Sequence, residues 1–171
     1  MSNILLKDYS FCNKLEAHKK GLKHFAFSVF LFNKDKLLIQ KRAKNKYHSG
    51  GLWSNTCCSH FRNIDEFNNK ENTIKNRLYE EIGLKYTNKL SQIGVFDYNE
   101  KVGNLIENEI DYIFIGFIED DIKLNLNKEE VDDVKFIDIK ELKEDIKENG
   151  QNYTIWLKLI LNDKNINLLK F

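Results

Sequence analysis

Two apolar runs mark the start of the patterned part of the chain. Residues 25–32 (FAFSVFLF) and 37–40 (LLIQ) are rich in strand-forming residues, and the polar residues 33–36 separate them. This pattern predicts a β-hairpin. The first run is apolar at odd and even positions alike, apart from Ser28, so we expect other layers on both faces of that strand. The hairpin therefore predicts an α/β (α+β) fold in which a mixed sheet is sandwiched between helices.

A helix is predicted from about Glu66 to the residue before Gly83. Apolar residues recur there at intervals of four and seven positions, which places them on one face of a helix. Glycine is a common residue just past a helix end. The last turn contains Glu80 and Glu81, whose charge is unfavourable at the negative end of the helix dipole. We therefore expect a cationic group beside this turn. The apolar positions are Phe67, Ile74, Leu78 and Ile82.

Two further strands are predicted at residues 93–98 and 105–118. The second alternates in character, so that its odd-numbered acidic residues share one face and its even-numbered isoleucines share the other. The acidic residues are Glu107, Glu109 and Asp111, and the isoleucines are Ile106 and Ile110.

The C-terminal part predicts a short strand and two helices. Residues 134–137 read as the strand, Asp138 with Glu141 forms a capping-box pattern at the start of one helix, and residues 153–161 suggest a terminal helix. Without a repeat or a linker, we expect one domain over residues 1–171, with its motifs within about 14–160.

Residues 43–63 lack sustained periodicity and contain Gly50 and Gly51, two histidines, two cysteines and Trp53. This composition predicts a long ordered loop, where functional residues tend to concentrate.

Composition narrows the class of partner. The 27 Lys and Arg nearly cancel the 26 Asp and Glu, so no overall charge favours nucleic acid or an anionic membrane. No stretch approaches the roughly 20 apolar residues that span a bilayer, and the first residues do not resemble a secretion signal. Three cysteines, two of them adjacent, suit a reducing compartment better than a disulfide framework. We expect a cytoplasmic protein that acts on a small molecule, without nucleic acid or membrane, as a monomer.

Several side chains have the character of metal ligands. Imidazole nitrogens with carboxylate oxygens suit Zn²⁺, Mn²⁺ or Fe²⁺, although each histidine alone also reads as a surface or hydrogen-bonded residue. We leave His48 with that plainer interpretation. The candidate ligands are His18, His24, His60, Glu107 and Glu109.

A thiol and several cationic side chains are further candidates for catalysis and for phosphate binding. Cys58 lies two residues before His60 and reads equally as a reactive thiol near a metal or as a small buried residue. Arg42, Lys46 and Arg77 could supply phosphate donors, but each alone also fits an ordinary solvated surface. Trp156 and Tyr98 read first as core residues, as Cys12 does.

Together these segments resemble the type I isopentenyl-diphosphate isomerases of the Nudix superfamily. The resemblance runs from about Lys14 to Trp156, and its long loop string is far more specific than a short motif. The strings that carry it are HFAFSVFLFN, LLIQKRAKNKYHSGGLWSNTCCSH, RLYEEIGL and ENE at 107–109.

The resemblance implies a Nudix-like fold, two metal ions and an anion site. A Zn²⁺ or Mn²⁺ ion would be held by His18, His24, His60, Glu107 and Glu109. A Mg²⁺ ion would bridge the substrate's diphosphate to Glu81 and to the backbone carbonyl of Cys58. The diphosphate would be neutralised by Lys14, Arg42, Lys46 and Arg77.

The resemblance also implies an acid–base pair. Cys58 and Glu109 would act on opposite faces of a five-carbon alkene, interconverting isopentenyl and dimethylallyl diphosphate through a tertiary carbocation. Tyr98 would hydrogen-bond Glu109 and help in the protonation, and the ring of Trp156 would stabilise the cation.

The chain departs from the family pattern at several positions. Five residues separate His18 from His24, one fewer than in the bacterial pattern, and Tyr98 aligns only after a one-residue deletion. Phe61 and Ile155 stand where proline is usual.

Two other classes of protein fit some of the same residues. A Nudix hydrolase would share residues 80–83, but the rest of its box falls on Asn76, Arg77, Asn68 and Arg62. A non-catalytic zinc-stabilised domain would use Cys57, Cys58, His60 and another histidine, and would leave Glu107 and Glu109 without a role.

Overall fold

The fold is known from a computed structural model that describes residues 3–166 and 168. These residues form nine strands, five α-helices and a short 3₁₀ helix at Gly150–Asn152. The strands are β1 (Asn3–Leu5), β2 (Phe11–Asn13), β3 (His24–Asn33), β4 (Lys36–Arg42), β5 (Trp53–Ser54), β6 (Cys57–His60), β7 (Ser91–Val102), β8 (Leu105–Phe117) and β9 (Val131–Asp138). The helices are α1 (Lys14–Lys20), α2 (Ile64–Asn68), α3 (Lys70–Ile82), α4 (Ile139–Asn149) and α5 (Ile155–Asn162).

Seven strands of the described chain form one mixed sheet with the central order β5-β4-β3-β8-β7, while β1 and β2 pair separately. β3 runs parallel to β8 on one side. On its other side β3 pairs antiparallel with β6 at residues 26–29 and with β4 at residues 31–33. β4 also pairs with β9. Because β3 changes partner along its length, β4 and β6 diverge and leave an opening in the sheet.

Helical layers cover both faces of β3, as its apolar pattern predicts. On one face, Ile74 and Leu78 of α3 pack in the same core as the odd-numbered residues 25–31. On the other, Leu157 of α5 packs in a core with Phe30. Each fully buried apolar side chain of this size stabilises the fold by about 1.5–3 kcal/mol. The predicted sandwich of helices around a mixed sheet is confirmed.

The hairpin, the strand pair after residue 90 and the C-terminal elements are also confirmed. β7 and β9 extend beyond both of their predicted ends, whereas β8 ends one residue before the predicted end. Asp138 caps α4 by accepting hydrogen bonds from the backbone N–H groups of Lys140 and Glu141. Gly83 ends α3 with a φ of 68°, in the left-handed region that favours glycine.

Two predictions of local structure are wrong in detail. The helix from about Glu66 is two helices, because Asn69, with φ −111° and ψ 48°, interrupts the helical backbone between α2 and α3. The loop at residues 43–63 contains β5 and β6, so Cys58 and His60 lie on a strand of the sheet. Helix α1 and the strands β1 and β2 were not predicted, because they are too short to show a period. Within the described residues, no helix has the length and apolar content needed to cross a membrane.

Candidate active site with a metal-ligand cluster and a cationic pocket

The opening between β4 and β6 forms a cavity with polar walls. It contains about 530 Å³ of empty space, part of it open to solvent. Most of the site residues predicted from the sequence line it, namely Lys14, Arg42, Lys46, Cys58, His60, Arg77, Glu81, Glu107, Glu109 and Trp156. The remaining three, His18, His24 and Tyr98, lie behind the wall and contact Glu107 or Glu109.

The five predicted metal ligands form one cluster. One ligand atom from each of them lies within 4.8 Å of the others. The sheet brings most of them together: His24 begins β3 directly opposite Glu109 of the parallel strand β8, and His60 lies on the other neighbour of β3. Glu107 shares the face of Glu109, as the alternation predicts. Helix α1 adds His18, so the short spacing to His24 does not remove it from the cluster. The ligands are His18, His24, His60, Glu107 and Glu109.

Backbone carbonyls fix the tautomers of two histidines. Nδ1–H of His18 donates to the carbonyl of Lys14 at 2.6 Å, and Nδ1–H of His24 donates to the carbonyl of Leu22 at 2.7 Å. In the neutral rings the lone pair is therefore on Nε2, which faces the cluster. Burial lowers the pKa of His60 to about 3, so its imidazole is neutral at pH 7.

The cluster fits a divalent cation. Among the described residues, the buried Nε2 atoms of His18 and His24 have no hydrogen-bond partner. A buried polar atom without a partner costs about 1–3 kcal/mol, which a bound cation would remove. Three imidazoles and two carboxylates suit Zn²⁺, Mn²⁺ or Fe²⁺. The donor set and the unpartnered atoms thus agree on a metal site.

Glu109 is ionised and held by three side chains. Tyr98, its direct cross-strand partner on β7, donates its hydroxyl to Oε2 at 2.6 Å. Nε2 of His60 lies 2.8 Å from Oε1, and Nε2 of His24 lies 3.4 Å from it. Burial acts to raise the pKa of Glu109, but the contacts with His24 and His60 hold it well below its usual range. The predicted contact between Tyr98 and Glu109 is therefore present.

Asp111, two residues farther along β8, differs sharply from Glu109. It is fully buried beyond the cavity wall, where Ser28 donates its hydroxyl to Oδ2 at 2.7 Å. Burial and the negative charge of Glu109 raise the pKa of Asp111 well above its ordinary value. The pKa values of these two carboxyl groups, on one face of the same strand, are thus shifted in opposite directions.

Cys58 presents a protonated thiol to the cavity. Its Sγ lies 3.8 Å from Nη1 of Arg42 and 3.9 Å from the hydroxyl of Ser54. Burial raises its pKa to about 11, although the Arg42 guanidinium acts in the opposite direction. The adjacent Cys57 points to the other face of β6 and packs in the hydrophobic core. Adjacent cysteines therefore cannot chelate one ion here, which removes the geometry required for a zinc-stabilised domain.

Trp156 forms one wall of the cavity. Its indole N–H donates to the hydroxyl of Ser54 at 3.0 Å and to Oδ1 of Asn55 at 3.2 Å. The guanidinium of Arg42 lies 5.2 Å from the centre of its ring, within the range of a cation–π interaction. Trp156 is a buried residue, as first expected, but it also lines the site.

Four cationic side chains surround the end of the cavity opposite the metal-ligand cluster. Lys14 comes from the start of α1, Arg42 from the end of β4, Lys46 from the loop that follows and Arg77 from α3. Burial, followed by repulsion from the other three, lowers the pKa of Lys14 to about 8. We call these four residues the cationic pocket. Mutual repulsion of this kind is expected where an anionic ligand supplies the missing negative charge.

Glu81 lies at the edge of the cationic pocket. Arg77 donates to Oε1 of Glu81 at 2.7 Å and to Oε2 of Glu80 at 2.6 Å, and the amide of Gln40 donates to Oε2 of Glu81 at 3.2 Å. Arg77 is thus the cationic group expected beside the acidic last turn of α3. The side chain of Glu81 is buried, whereas that of Glu80 is exposed.

Sequence reasoning missed two residues of the site. Nε2 of His48 lies 2.8 Å from Oε1 of Glu107, so this histidine contacts the cluster and is not an ordinary surface residue. Glu130, from the loop before β9, forms an ion pair with Lys46 inside the cationic pocket. His48 lies within the loop string that carries the family resemblance, whereas nothing in the sequence indicates Glu130.

Comparison with known proteins agrees with this architecture. The NUDIX domain family matches residues 22–157. A crystal structure of the MutT NUDIX hydrolase from Burkholderia pseudomallei superposes with a TM-score of 0.58 at 10% identity, covering 81% of this chain and 95% of that one. At such low identity the likeness shows the fold alone.

Relatives with higher sequence identity are named for one specific activity. Isopentenyl-diphosphate Delta-isomerase 2 of Aromatoleum aromaticum is 41% identical over 154 residues, which cover 89% of this chain and 78% of that protein. Isopentenyl-diphosphate Delta-isomerase of Dinoroseobacter shibae is 42% identical over 151 residues, covering 86% and 82%. By this identity over most of its length, the chain belongs to the type I isopentenyl-diphosphate Delta-isomerases of the Nudix superfamily.

Proposed function

We propose that this isomerase interconverts isopentenyl and dimethylallyl diphosphate with Cys58 and Glu109 as its acid–base pair, as a step of isoprenoid biosynthesis. One observation carries the proposal. Cys58 and Glu109 line the same cavity from β6 and β8, the two strands that flank β3 on opposite sides. An alkene bound between them would meet a thiol on one side and a carboxylate on the other.

The chemistry requires two proton transfers. A proton added to the terminal methylene of isopentenyl diphosphate leaves a tertiary carbocation, and loss of a proton from the adjacent allylic carbon gives dimethylallyl diphosphate. Because the reaction is reversible, each of Cys58 and Glu109 acts as the acid in one direction and as the base in the other. Tyr98 keeps the Glu109 carboxylate in position through its 2.6 Å hydrogen bond and assists the protonation.

The carbocation needs an electron-rich surface and protection from water. Trp156 offers its ring face to the cavity, and its indole N–H is held by Ser54 and Asn55, so the ring has a fixed orientation. Cation–π contact in such a desolvated place contributes about 2 kcal/mol. The guanidinium of Arg42 lies over the same ring, and we expect a bound substrate to draw it toward the diphosphate.

Two metal sites complete the proposal. His18, His24, His60, Glu107 and Glu109 would hold Zn²⁺ or Mn²⁺, while Glu81 and the backbone carbonyl of Cys58 would hold Mg²⁺ with the diphosphate. A cation at the first site would fix the Glu109 carboxylate and stabilise negative charge there, and Mg²⁺ would neutralise phosphate oxygens. Lys14, Arg42, Lys46 and Arg77 would bind the remaining phosphate oxygens.

Product analysis tests the proposed function. Purified protein is incubated with isopentenyl diphosphate, Mg²⁺ and either Zn²⁺ or Mn²⁺, and the proton NMR spectrum is followed while phosphate release is assayed. We expect the vinylidene signals to be replaced by the two methyl signals of dimethylallyl diphosphate, without phosphate release. Intact substrate together with hydrolysis of a nucleoside diphosphate derivative would contradict the proposal and favour a Nudix hydrolase.

Cytoplasmic location, a monomeric state and a single domain over residues 1–171 stay predictions from the sequence. The three cysteines are all free in the structure, in keeping with a reducing compartment. Size-exclusion chromatography with light scattering would test the monomer.

A further inference from the structure

Glu130 is a carboxylate inside a pocket otherwise suited to an anion. It forms an ion pair with the ammonium of Lys46, and both side chains are largely buried, with 28% and 16% of their surfaces exposed. Glu130 lines the same cavity as Lys14 and Arg77. The cationic pocket therefore contains a negative group that belongs to the protein itself.

The backbone holds Glu130 at this position. Its carbonyl accepts a hydrogen bond from the backbone N–H of Ala43 at 3.0 Å, and its own N–H donates to the carbonyl of Asn127 at 2.9 Å. The N–H of Asn127 in turn donates to the carbonyl of Glu81 at 3.0 Å. The residue is thus tied to the end of β4 and to the last turn of α3, the elements that carry Arg42 and Glu81. These hydrogen bonds constrain the backbone of Glu130 but not its side-chain torsions.

The electrostatic environment of Glu130 resembles that of a bound anion. Burial acts to raise its pKa, but the hydrogen bond from Lys46 and the charges of Lys46, Arg77 and Lys14 lower it below the ordinary value. A phosphate oxygen would draw on the same three cations and on the same ammonium hydrogens. The carboxylate and a diphosphate therefore compete for one set of donors.

We propose that Glu130 sets the affinity of the enzyme for diphosphates by acting as an internal anion that substrate and product must displace from Lys46. The inference rests on the proposed function, in which Lys46 binds the diphosphate. Both isomers carry the same diphosphate, so the competition weakens the binding of both equally. Its effect falls on substrate affinity and product release and leaves the proton transfers unchanged.

The alternative is that Glu130 merely positions Lys46 or binds Mg²⁺, and this predicts the opposite sign. Removing a competitor tightens diphosphate binding, whereas removing a positioning group or a metal ligand weakens it. Glu130→Gln separates the two, because it removes the charge, keeps the size of the side chain and leaves the backbone hydrogen bonds intact. Glu129→Gln is the matched control, since Glu129 is a neighbouring acidic residue of the same loop with an exposed side chain.

Calorimetric titration with inorganic diphosphate and Mg²⁺ measures binding without turnover. For Glu130→Gln we expect the Kd to fall about fivefold to tenfold, the order expected for removing a like charge from a partly screened site. The KM for isopentenyl diphosphate should fall by a similar factor without a rise in kcat. Glu129→Gln should match the wild type in both measurements, and thermal unfolding checks that both variants fold.

Unchanged or weaker diphosphate binding by folded Glu130→Gln, with normal binding by the wild type, would overturn this inference and leave the proposed function standing. A wild-type protein that neither binds inorganic diphosphate nor isomerises the substrate would overturn the proposed function, and this inference with it.

Discussion

The two ends of the cavity are built in different ways. At the metal-ligand cluster, His24, His60 and Glu109 lie on paired strands, and backbone carbonyls fix the rings of His18 and His24. At the cationic pocket, the charged groups are the ends of long flexible side chains. Among these, Lys46 and Arg77 are paired with acidic residues of the protein itself.

This difference matches the demands of the proposed reaction. Proton transfer depends on donor and acceptor positions to a fraction of an ångström, which a sheet can supply. Binding a diphosphate depends mainly on the number and sign of charges, which flexible side chains can provide and which internal anions can moderate. We therefore expect substitutions in the cluster to affect kcat and metal content, and substitutions in the pocket to affect KM.

The largest effect is expected for Glu109→Gln. The variant loses both a proton-transfer group and a metal ligand, so kcat should fall at least roughly 10⁴-fold and Zn²⁺ affinity should also decrease. Turnover is measured by NMR, and metal affinity by competition with a chelator. Glu119→Gln, an exposed change after β8, is the control. Near-normal turnover in folded Glu109→Gln would remove the carboxylate from the mechanism.

Cys58→Ala should lower kcat by about 10²–10⁴-fold, the usual contribution of a general acid or base. Metal content and thermal stability should stay close to the wild type, since the thiol is not one of the five clustered ligands. The Cys12→Ala variant controls for loss of a thiol elsewhere in the chain. If Cys58→Ala keeps its activity, Cys58 is only a small buried residue.

Lys14→Met tests the cationic pocket. It removes a charged donor worth about 1.5–3 kcal/mol, so the KM for isopentenyl diphosphate should rise roughly 10-fold to 100-fold while kcat changes little. Steady-state kinetics across a range of substrate concentrations provide the measurement. A fall in kcat without a change in KM would contradict the expectation that substitutions in the cationic pocket affect KM and not kcat.

His48→Gln should lower Zn²⁺ affinity by about tenfold. Nε2 of His48 lies 2.8 Å from Oε1 of Glu107, so its loss frees a carboxylate that the metal site requires to be fixed. Chelator competition measures the affinity directly. An unchanged affinity would show that Glu107 needs no support from outside the five ligands.

The smallest effect concerns the stability of the ligand-free protein. Burial and nearby cations lower the pKa of Lys14 from 10.5 to about 8, so folding disfavours its charged form. At about 1.4 kcal/mol per pKa unit, reduced by solvent screening, Lys14→Met should gain about 1–2 kcal/mol in the free energy of unfolding.

That gain has a defined pH dependence. It should be complete below pH 8, where Lys14 is charged in both states, and it should disappear as pH rises to 10.5. Denaturant unfolding at pH 7 and pH 10.5 compares the two conditions. A variant that is less stable than the wild type at pH 7 would contradict the predicted repulsion.

Much of the metal-ligand cluster could be predicted from the sequence, because its strands follow the alternation of side chains along the chain. Alternation along β8 is enough to give Glu107 and Glu109 a common face, and the same rule puts Cys58 and His60 on one face of β6 once that segment is known to be a strand. The sequence predicts a loop for this segment because the four residues of β6 are too few to show a period.

The cationic pocket was harder to predict, because it depends on contacts between segments that are distant in the sequence. The pair of Lys46 with Glu130 joins residues 84 positions apart and is created by a loop that meets the end of β4. Similarly, the register of β7 against β8 brings Tyr98 opposite Glu109. Neither the burial of Asp111, which raises its pKa, nor the tautomers of His18 and His24 can be predicted without the fold.

The central claim, that Cys58 and Glu109 exchange protons with a bound alkene, is tested most directly by deuterium. The metal-loaded wild-type protein is incubated with isopentenyl diphosphate in deuterated water, and proton and deuterium NMR follow the products. The account predicts dimethylallyl diphosphate carrying new C–D bonds, with deuterium entry slowed as strongly as turnover when Cys58→Ala or Glu109→Gln replaces the wild type. Isomerisation without deuterium entry, or normal deuterium entry in both variants, would contradict it.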